Sequence, residues 1–173
     1  GAVASAPAPG PASGVPGRRG GAAAGSRLRA GGRPVSVTDL RRGVWHVARE
    51  CEGVAEAGGL KDVVAGLARA LHLRGVPAAV VLPRYGFVDL KALGARRLPV
   101  RIRLELPEPE ELDVHQATVR GFTVYLLDCP RIRGKRGLYT HTREDEAEDP
   151  RKKRGTGHWD AHHLNLILQR GAL

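Results

Sequence analysis

Apolar residues recur at helical spacing in one stretch of the chain, directly after a pair of glycines, Gly58 and Gly59. Their separations of i, i+3, i+4, i+7 and i+11 predict one apolar face of an amphipathic helix. The residues of this face are Leu60, Val63, Val64, Leu67 and Leu71. Asp62 lies in the first turn and Gly75 follows the last turn, which are usual signals for the start and end of a helix. The sequence therefore predicts a helix from Leu60 to about Arg74.

Two short apolar runs flank this helix. Residues 44–48 precede the glycine pair, and residues 76–82 follow the helix and end at Pro83. The first run predicts a strand, and the continuous second run is typical of a parallel strand that is covered on both faces. Strand, helix and strand in this order predict a right-handed crossover unit.

Three further strands are expected in the second half of the chain. Residues 98–106 and 114–120 alternate between apolar and polar side chains, which predicts an antiparallel pair with a polar turn at residues 107–111. Residues 122–127 form another apolar run, which indicates a return into the buried sheet. Residues 131–157 show no periodicity, so we expect either a functional or a flexible loop there.

The chain closes on a predicted helix over about residues 159–173. Its apolar positions are Leu164, Ile167, Leu168 and Leu173. Together these elements indicate an α/β fold, a Rossmann-like parallel sheet with an antiparallel hairpin insertion. We expect two regions, a low-complexity tail over residues 1–43 and a folded domain over residues 44–173.

The expected tail differs in composition from the remainder of the chain. It is rich in Ala, Gly, Pro and Arg, and such a segment cannot bury enough apolar surface to offset its ordering entropy, which predicts disorder. Seven arginines and one acid, Asp39, give the tail +6 of the net charge of +10. No Phe, Tyr or Trp is available there to stack on bases, so solvated disorder is favoured over nucleic-acid binding. The chain begins at Gly1 and contains no methionine, so we expect a fragment or a processed piece.

The sequence also bears on compartment and on cysteine chemistry. No apolar run approaches the roughly 18 residues that cross a bilayer, so we expect no membrane partner and a cytoplasmic location, or a plastid in a plant or alga. Cys51 and Cys129 are too few for a disulfide framework and lack metal-ligand spacing. Both are interpreted as reduced thiols.

The glycine pair lies where a predicted strand passes into a predicted helix. Backbone amides at a helix N-terminus have no partner inside the helix and can bind a phosphate or another anion. A tight turn that uses glycine only for its backbone freedom would leave the same pattern. Both interpretations are open from these residues alone.

Two other clusters have competing interpretations. His158 and His162 are four residues apart, the separation at which two imidazoles on one helix face share a zinc ion, but hydrogen-bonded histidines at a helix start are favoured. The charged residues 144–154 are interpreted as a solvated loop with local ion pairs rather than as a charged switch. The signatures of serine hydrolases, P-loop NTPases and dinucleotide-binding enzymes do not occur in the sequence.

Several ordered blocks of the chain resemble the opening of the ADP-glucose-type glycogen synthases of bacteria and starch synthases of plants. The blocks are VWHVAREC (44–51), AEAGGLKDVV (55–64), VVLPRYG (80–86), VYLLDCP (124–130) and GLY (137–139). Their order and spacing are also similar to those of the family. The resemblance covers residues 44–173, the whole predicted domain.

The resemblance implies a GT-B architecture, of which this chain would form the first part of the N-terminal, acceptor-side domain. The family transfers glucose from ADP-glucose to the non-reducing end of an α-1,4-glucan, glycogen or starch, with retention and without a metal or another cofactor. By resemblance, the backbone of Gly58 and Gly59 approaches the donor, Asp62 lies near the transferred glucose, and Tyr139 lines the sugar pocket. Fixed amide dipoles would stabilise the developing charge of the leaving group.

The chain departs from the family pattern at the loop and at its end. The lysine and threonine that usually precede the glycine pair are Glu56 and Ala57 here. An acid near a diphosphate replaces attraction with repulsion, so we expect that Glu56 points away, that it meets a basic neighbour such as Lys61, or that donor use differs. No catalytic residue is expected within the chain, because the family's histidine-aspartate-tryptophan segment and its C-terminal arginine, lysine and glutamate would come later. The isolated chain is therefore predicted to be inactive, and a non-catalytic carbohydrate- or nucleotide-binding module is the alternative.

Overall fold

The computed structural model describes residues 43–173, so the expected tail lies outside the described residues except for Gly43. The strands are β1 Val44–Val47, β2 Ala78–Pro83, β3 Arg96–Leu104, β4 Glu110–Val119 and β5 Phe122–Asp128. The helices are α1 Leu60–Leu73, α2 Pro130–Arg133, α3 Arg143–Glu148 and α4 Ala161–Gly171.

The described strands form one sheet in the order β1-β2-β5-β4-β3. β2 pairs in parallel with β1 on one side and with β5 on the other, whereas β4 is antiparallel to both β5 and β3. Every residue of β2 and β5 is buried, because these central strands are covered on both faces. The predicted fold class, a parallel sheet extended by an antiparallel hairpin, is confirmed.

The antiparallel strands begin earlier than their apolar pattern indicated. β3 starts at Arg96 instead of residue 98, and β4 starts at Glu110 instead of residue 114, so Glu110 and Glu111 belong to a strand and not to the predicted turn. The residues at these strand ends are mostly charged and pair with charged residues of the neighbouring strand, so the apolar pattern does not include them. Arg101, for example, donates to Asp113 over 3.3 Å.

Helix α1 forms where predicted, but the apolar face assigned to it is partly wrong. Leu60, Val63 and Leu67 are 45%, 57% and 51% exposed. The buried positions are Val64, Ala65 and Ala68. The small alanine side chains lie on the buried side of the helix, and the larger residues beside them remain outside. Within residues 43–173, no helix has the length and apolar character that a bilayer crossing requires.

Residues 131–157 are more ordered than the sequence pattern predicted. They contain most of α2 and all of α3, and α3 begins with a capping box between Thr142 and Asp145. The charged run does form local ion pairs, as between Arg151 and Asp149 at 2.9 Å. Helix α4 buries three of the predicted apolar residues, Leu164, Ile167 and Leu168, whereas Leu173 lies beyond the helix and is fully exposed.

Candidate functional site

The loop between β1 and α1 carries the glycine pair and is closed by its own hydrogen bonds. Cys51 and Ala55 exchange two backbone hydrogen bonds of 3.0 Å. Gly59 has φ −74° and ψ −14°, a conformation that any residue adopts, and Gly58 also lacks a positive φ. A Cβ on Gly59 would meet no atom within 4 Å. Backbone freedom therefore does not explain the glycine at position 59.

Glu50 lies at the centre of this site, directly after the carboxyl end of β1. Its side chain is buried, with 3% of the residue exposed. Oε2 accepts hydrogen bonds from the amides of Ala57 (3.1 Å) and Gly58 (2.6 Å), and Oε1 accepts one from the hydroxyl of Tyr139 (2.5 Å). One carboxylate therefore joins the glycine loop to a tyrosine that is distant in the sequence.

Arg49 fixes the same tyrosine from another side. Its guanidinium carbon lies 4.6 Å from the centre of the Tyr139 ring, an arrangement that gives a cation–π attraction. The Arg49 side chain also donates to the carbonyl oxygen of Leu138 (2.6 Å) and to the hydroxyl of Tyr85 (3.2 Å). Tyr139 itself stays 37% exposed, so part of its side chain is accessible to a ligand.

The shared hydrogen bonds shift the pKa values of Glu50 and Tyr139 in opposite directions. Burial alone raises the pKa of Glu50, but the hydrogen bonds from Tyr139, Gly58 and Ala57, together with the charge of Lys61, outweigh it and leave the pKa below its ordinary value. Burial and the hydrogen bond to Glu50 raise the pKa of Tyr139 to about 12. The carboxylate is therefore ionised and the tyrosine is protonated at neutral pH.

Glu56 and Asp62 belong to a second cluster around Lys61. Glu56 accepts a hydrogen bond from the amide of Gly53 (2.7 Å) and lies 4.0 Å from the Lys61 ammonium. The same ammonium contacts Asp62 at 2.8 Å. Glu56 thus has both a backbone donor in its own loop and the basic neighbour that the sequence indicated.

The first turn of α1 leaves backbone donors available. The amides of Ala57 and Gly58 donate to Glu50, whereas those of Gly59 and Leu60 donate to no acceptor within residues 43–173. Both residues are exposed. Free amides at the N-terminus of a helix of this length attract an anion.

Sequence reasoning placed Gly58 and Tyr139 in one binding site but assigned no role to Arg49, Glu50 or Tyr85. The usable signal was a charged pair just beyond the end of a parallel strand, since ligands of open α/β sheets bind at the carboxyl ends of the strands. The hydrogen bonds of Glu50 to the loop and to Tyr139 could not be derived from that signal.

The histidines near the C-terminus have different positions from those required for a zinc pair. Helix α4 begins at Ala161, so His158 precedes it and does not share a helix face with His162. His158 is buried, and its Nε2 lies 2.9 Å from the carbonyl oxygen of Gly137. Burial lowers its pKa, so the ring is neutral at pH 7 and Nε2 donates this bond. Among the described residues, no group of three or more His, Cys, Asp or Glu side chains has an arrangement that could hold a metal ion.

Comparison with known proteins gives one consistent family. The starch synthase catalytic domain family matches residues 43–156. The glycogen synthase of Anaeromyxobacter sp. (strain K) is 36% identical over 108 residues, an alignment that covers 61% of this chain and 22% of that protein. The rice soluble starch synthase 2-2 is 38% identical over 88 residues, which cover 50% of this chain and 12% of the relative.

A solved structure leads to the same family. The catalytic domain of starch synthase IV from Arabidopsis thaliana, bound to ADP and acarbose, superposes with a TM-score of 0.51 and 28% sequence identity. The match covers 75% of this chain and 26% of that chain, so the sequence spans about a quarter of the solved domain and about a fifth of the glycogen synthase. The chain belongs to the starch synthase catalytic domain family, a family of glycosyltransferases.

Proposed function

We propose that this chain is the acceptor-side part of a glucosyltransferase that uses ADP-glucose as donor. The complete enzyme transfers glucose to the non-reducing end of an α-1,4-glucan, glycogen or starch, with retention of configuration. The chain spans only 22% of the length of a glycogen synthase relative, and none of its described residues is proposed to catalyse transfer. The isolated chain is therefore inactive.

The observation that carries this proposal is the carboxylate of Glu50. It joins the amide of Gly58, assigned by resemblance to the donor loop, to the hydroxyl of Tyr139, assigned by resemblance to the sugar pocket. Two residues with complementary roles toward a nucleotide sugar thus share one hydrogen-bonded site. The exposed part of Tyr139 supplies an aromatic contact for a sugar ring.

The donor phosphates would bind at the start of α1. The free amides of Gly59 and Leu60 supply the positive end of the helix dipole there. The Gly53 amide and Lys61 hold Glu56, which reduces its repulsion of a diphosphate and supports the use of ADP-glucose despite the acidic substitution. The structure of the Arabidopsis relative holds ADP and acarbose, which supports a nucleotide and a carbohydrate as ligands of this site.

The test measures transfer from radiolabelled ADP-glucose to glycogen by the full-length protein and by the isolated chain. We expect label at the non-reducing ends of the glycogen with the full-length protein and none with the isolated chain. Retention is checked by nuclear magnetic resonance, which distinguishes an α from a β linkage in the product. Transfer by the isolated chain would contradict the proposal that the isolated chain is inactive. A folded full-length protein that transfers glucose from another donor but not from ADP-glucose would refute the donor assignment.

A further inference from the structure

We propose that Glu50 is the positioning residue of this site, a role that rests on the proposed function. Its carboxylate holds the glycine loop and Tyr139 in one fixed arrangement, so that the free amides of the first turn of α1 and the tyrosine ring meet the ligand together. Glu50 touches the loop and the tyrosine instead of the reacting atoms.

The hydrogen bonds of Glu50 leave little capacity for another role. Its two oxygens accept three hydrogen bonds from Ala57, Gly58 and Tyr139, and 3% of the residue is exposed. A carboxylate buried in this way requires such partners, because an unpaired buried charge is strongly destabilising. The carboxylate is therefore committed to protein donors and is not available as a base for a sugar hydroxyl.

The loop packs directly against the carboxylate at Gly58. A Cβ on Gly58 would lie 3.7 and 3.8 Å from the two carboxylate oxygens, in ordinary van der Waals contact. The amide nitrogen of Gly58 is only 2.6 Å from Oε2. A shift of this carboxylate would therefore move the loop that bears Gly59.

The preceding residue attaches the tyrosine segment to the same strand end. Arg49 donates to the carbonyl oxygen of Leu138 and lies over the ring of Tyr139. Arg49 and Glu50, which follow β1, thus hold Leu138 and Tyr139 of the distant segment. Arg49 holds the backbone and the ring, whereas among residues 43–173 it is Glu50 whose hydrogen bonds connect Tyr139 to the glycine loop.

The first test uses the isolated chain and needs no activity. Glu50→Ala removes the acceptor of the Gly58 amide, and Glu50→Gln keeps one acceptor oxygen without the charge. Glu52→Ala is the control, because the Glu52 side chain pairs with Arg120 at 2.8 Å and not with Gly58 or Tyr139. We expect amide hydrogen exchange at Gly58 to accelerate in Glu50→Ala, to change less in Glu50→Gln, and to stay unchanged in Glu52→Ala.

A second readout on the same variants follows the tyrosine by ultraviolet absorbance of tyrosinate. The pKa of Tyr139 is raised to about 12 by burial and by Glu50, so we expect it to fall toward its ordinary value of 10.0 in Glu50→Gln but not in the control. Tyr139→Phe assigns the signal, since Tyr85 and Tyr125 also titrate. Unchanged Gly58 exchange and an unchanged Tyr139 pKa in the Glu50 variants would overturn the proposal.

The third measurement uses steady-state kinetics of the full-length protein. Displacing a binding loop by about 1 Å costs on the order of 100-fold in rate, so we expect kcat/KM to fall about 100-fold in Glu50→Ala, with partial rescue by glutamine and no change in the control. An unaltered kcat/KM in a folded Glu50→Ala protein would refute the positioning role. If the wild type does not transfer from ADP-glucose, the proposed function fails, whereas the exchange and titration results still test whether Glu50 holds the two segments together.

Discussion

Replacing Gly59 with alanine tests whether glycine is needed at this position for the approach of a ligand or for the conformation of the backbone. Gly59 adopts right-handed helical angles, φ −74° and ψ −14°, and a Cβ there meets nothing within 4 Å. Alanine therefore fits without strain and restricts the unfolded chain. We expect Gly59→Ala to raise the free energy of unfolding by about 0.4 to 1 kcal/mol.

Urea denaturation of the isolated chain, followed by circular dichroism, measures this change. Gly86→Ala is the matched control, because its Cβ would overlap the carbonyl oxygen of Arg133 and lie 3.2 Å from that of Lys135. Backbone atoms cannot move aside cheaply, so this control should lose roughly 1 to 3 kcal/mol. If Gly59→Ala destabilises the chain as much as Gly86→Ala does, the conclusion that the backbone does not require glycine at position 59 is refuted.

The same variant in the full-length protein tests the approach of the donor. A methyl group at Gly59 would project into open space next to the loop to which the phosphates are proposed to bind. A clash of roughly 1 to 3 kcal/mol corresponds to an affinity loss of about 5- to 160-fold, measurable by calorimetric titration with ADP-glucose. Unchanged affinity in a protein that binds the donor would show that the donor does not approach Gly59.

Three further predictions concern the core, the thiols and the response to acid. Val64→Ala should lower the free energy of unfolding by about 2 kcal/mol, since each buried methylene contributes about 0.8 kcal/mol. Val63 is exposed, so Val63→Ala should change the free energy of unfolding by less than about 0.5 kcal/mol. Equal effects of the two substitutions in urea denaturation would contradict the observed buried face of α1. Cys51 and Cys129 are free and buried, and burial is the main cause that raises the pKa of each thiol to about 11. A thiol reagent at pH 7 should therefore label them only after denaturation, and rapid labelling of the native chain would contradict this. Folding lowers the pKa of Glu50, so the Glu50 carboxylate stabilises the fold above the ordinary pKa of 4.5, and this stabilisation is lost as the pH falls through the lower pKa of the folded state. The wild type should therefore lose more free energy of unfolding on acidification than Glu50→Gln does. Parallel plots of unfolding free energy against pH for the two proteins would refute this.

The amino-acid pattern by itself determined the elements that are buried on all sides. The runs that became β2 and β5 are continuously apolar and short, as expected of strands covered on both faces, so their type followed from the sequence. Resemblance to the family also assigns Gly58, Gly59 and Tyr139 to a binding site, and this assignment stays a prediction. Strand ends in β3 and β4 were missed, because their charged residues are stabilised by partners on a neighbouring strand.

Only the tertiary structure decided which face of α1 is buried and what connects the site. Apolar spacing allows two neighbouring faces of this helix, and packing selected the face with Val64, Ala65 and Ala68. The role inferred for Glu50 depends on hydrogen bonds to Gly58 and Tyr139, which lie in separate parts of the sequence. The local pattern of apolar and polar residues indicates whether a segment is buried. Hydrogen-bond partners that are distant in the sequence, such as Glu50 and Tyr139, meet only once the sheet has brought the carboxyl ends of its strands together.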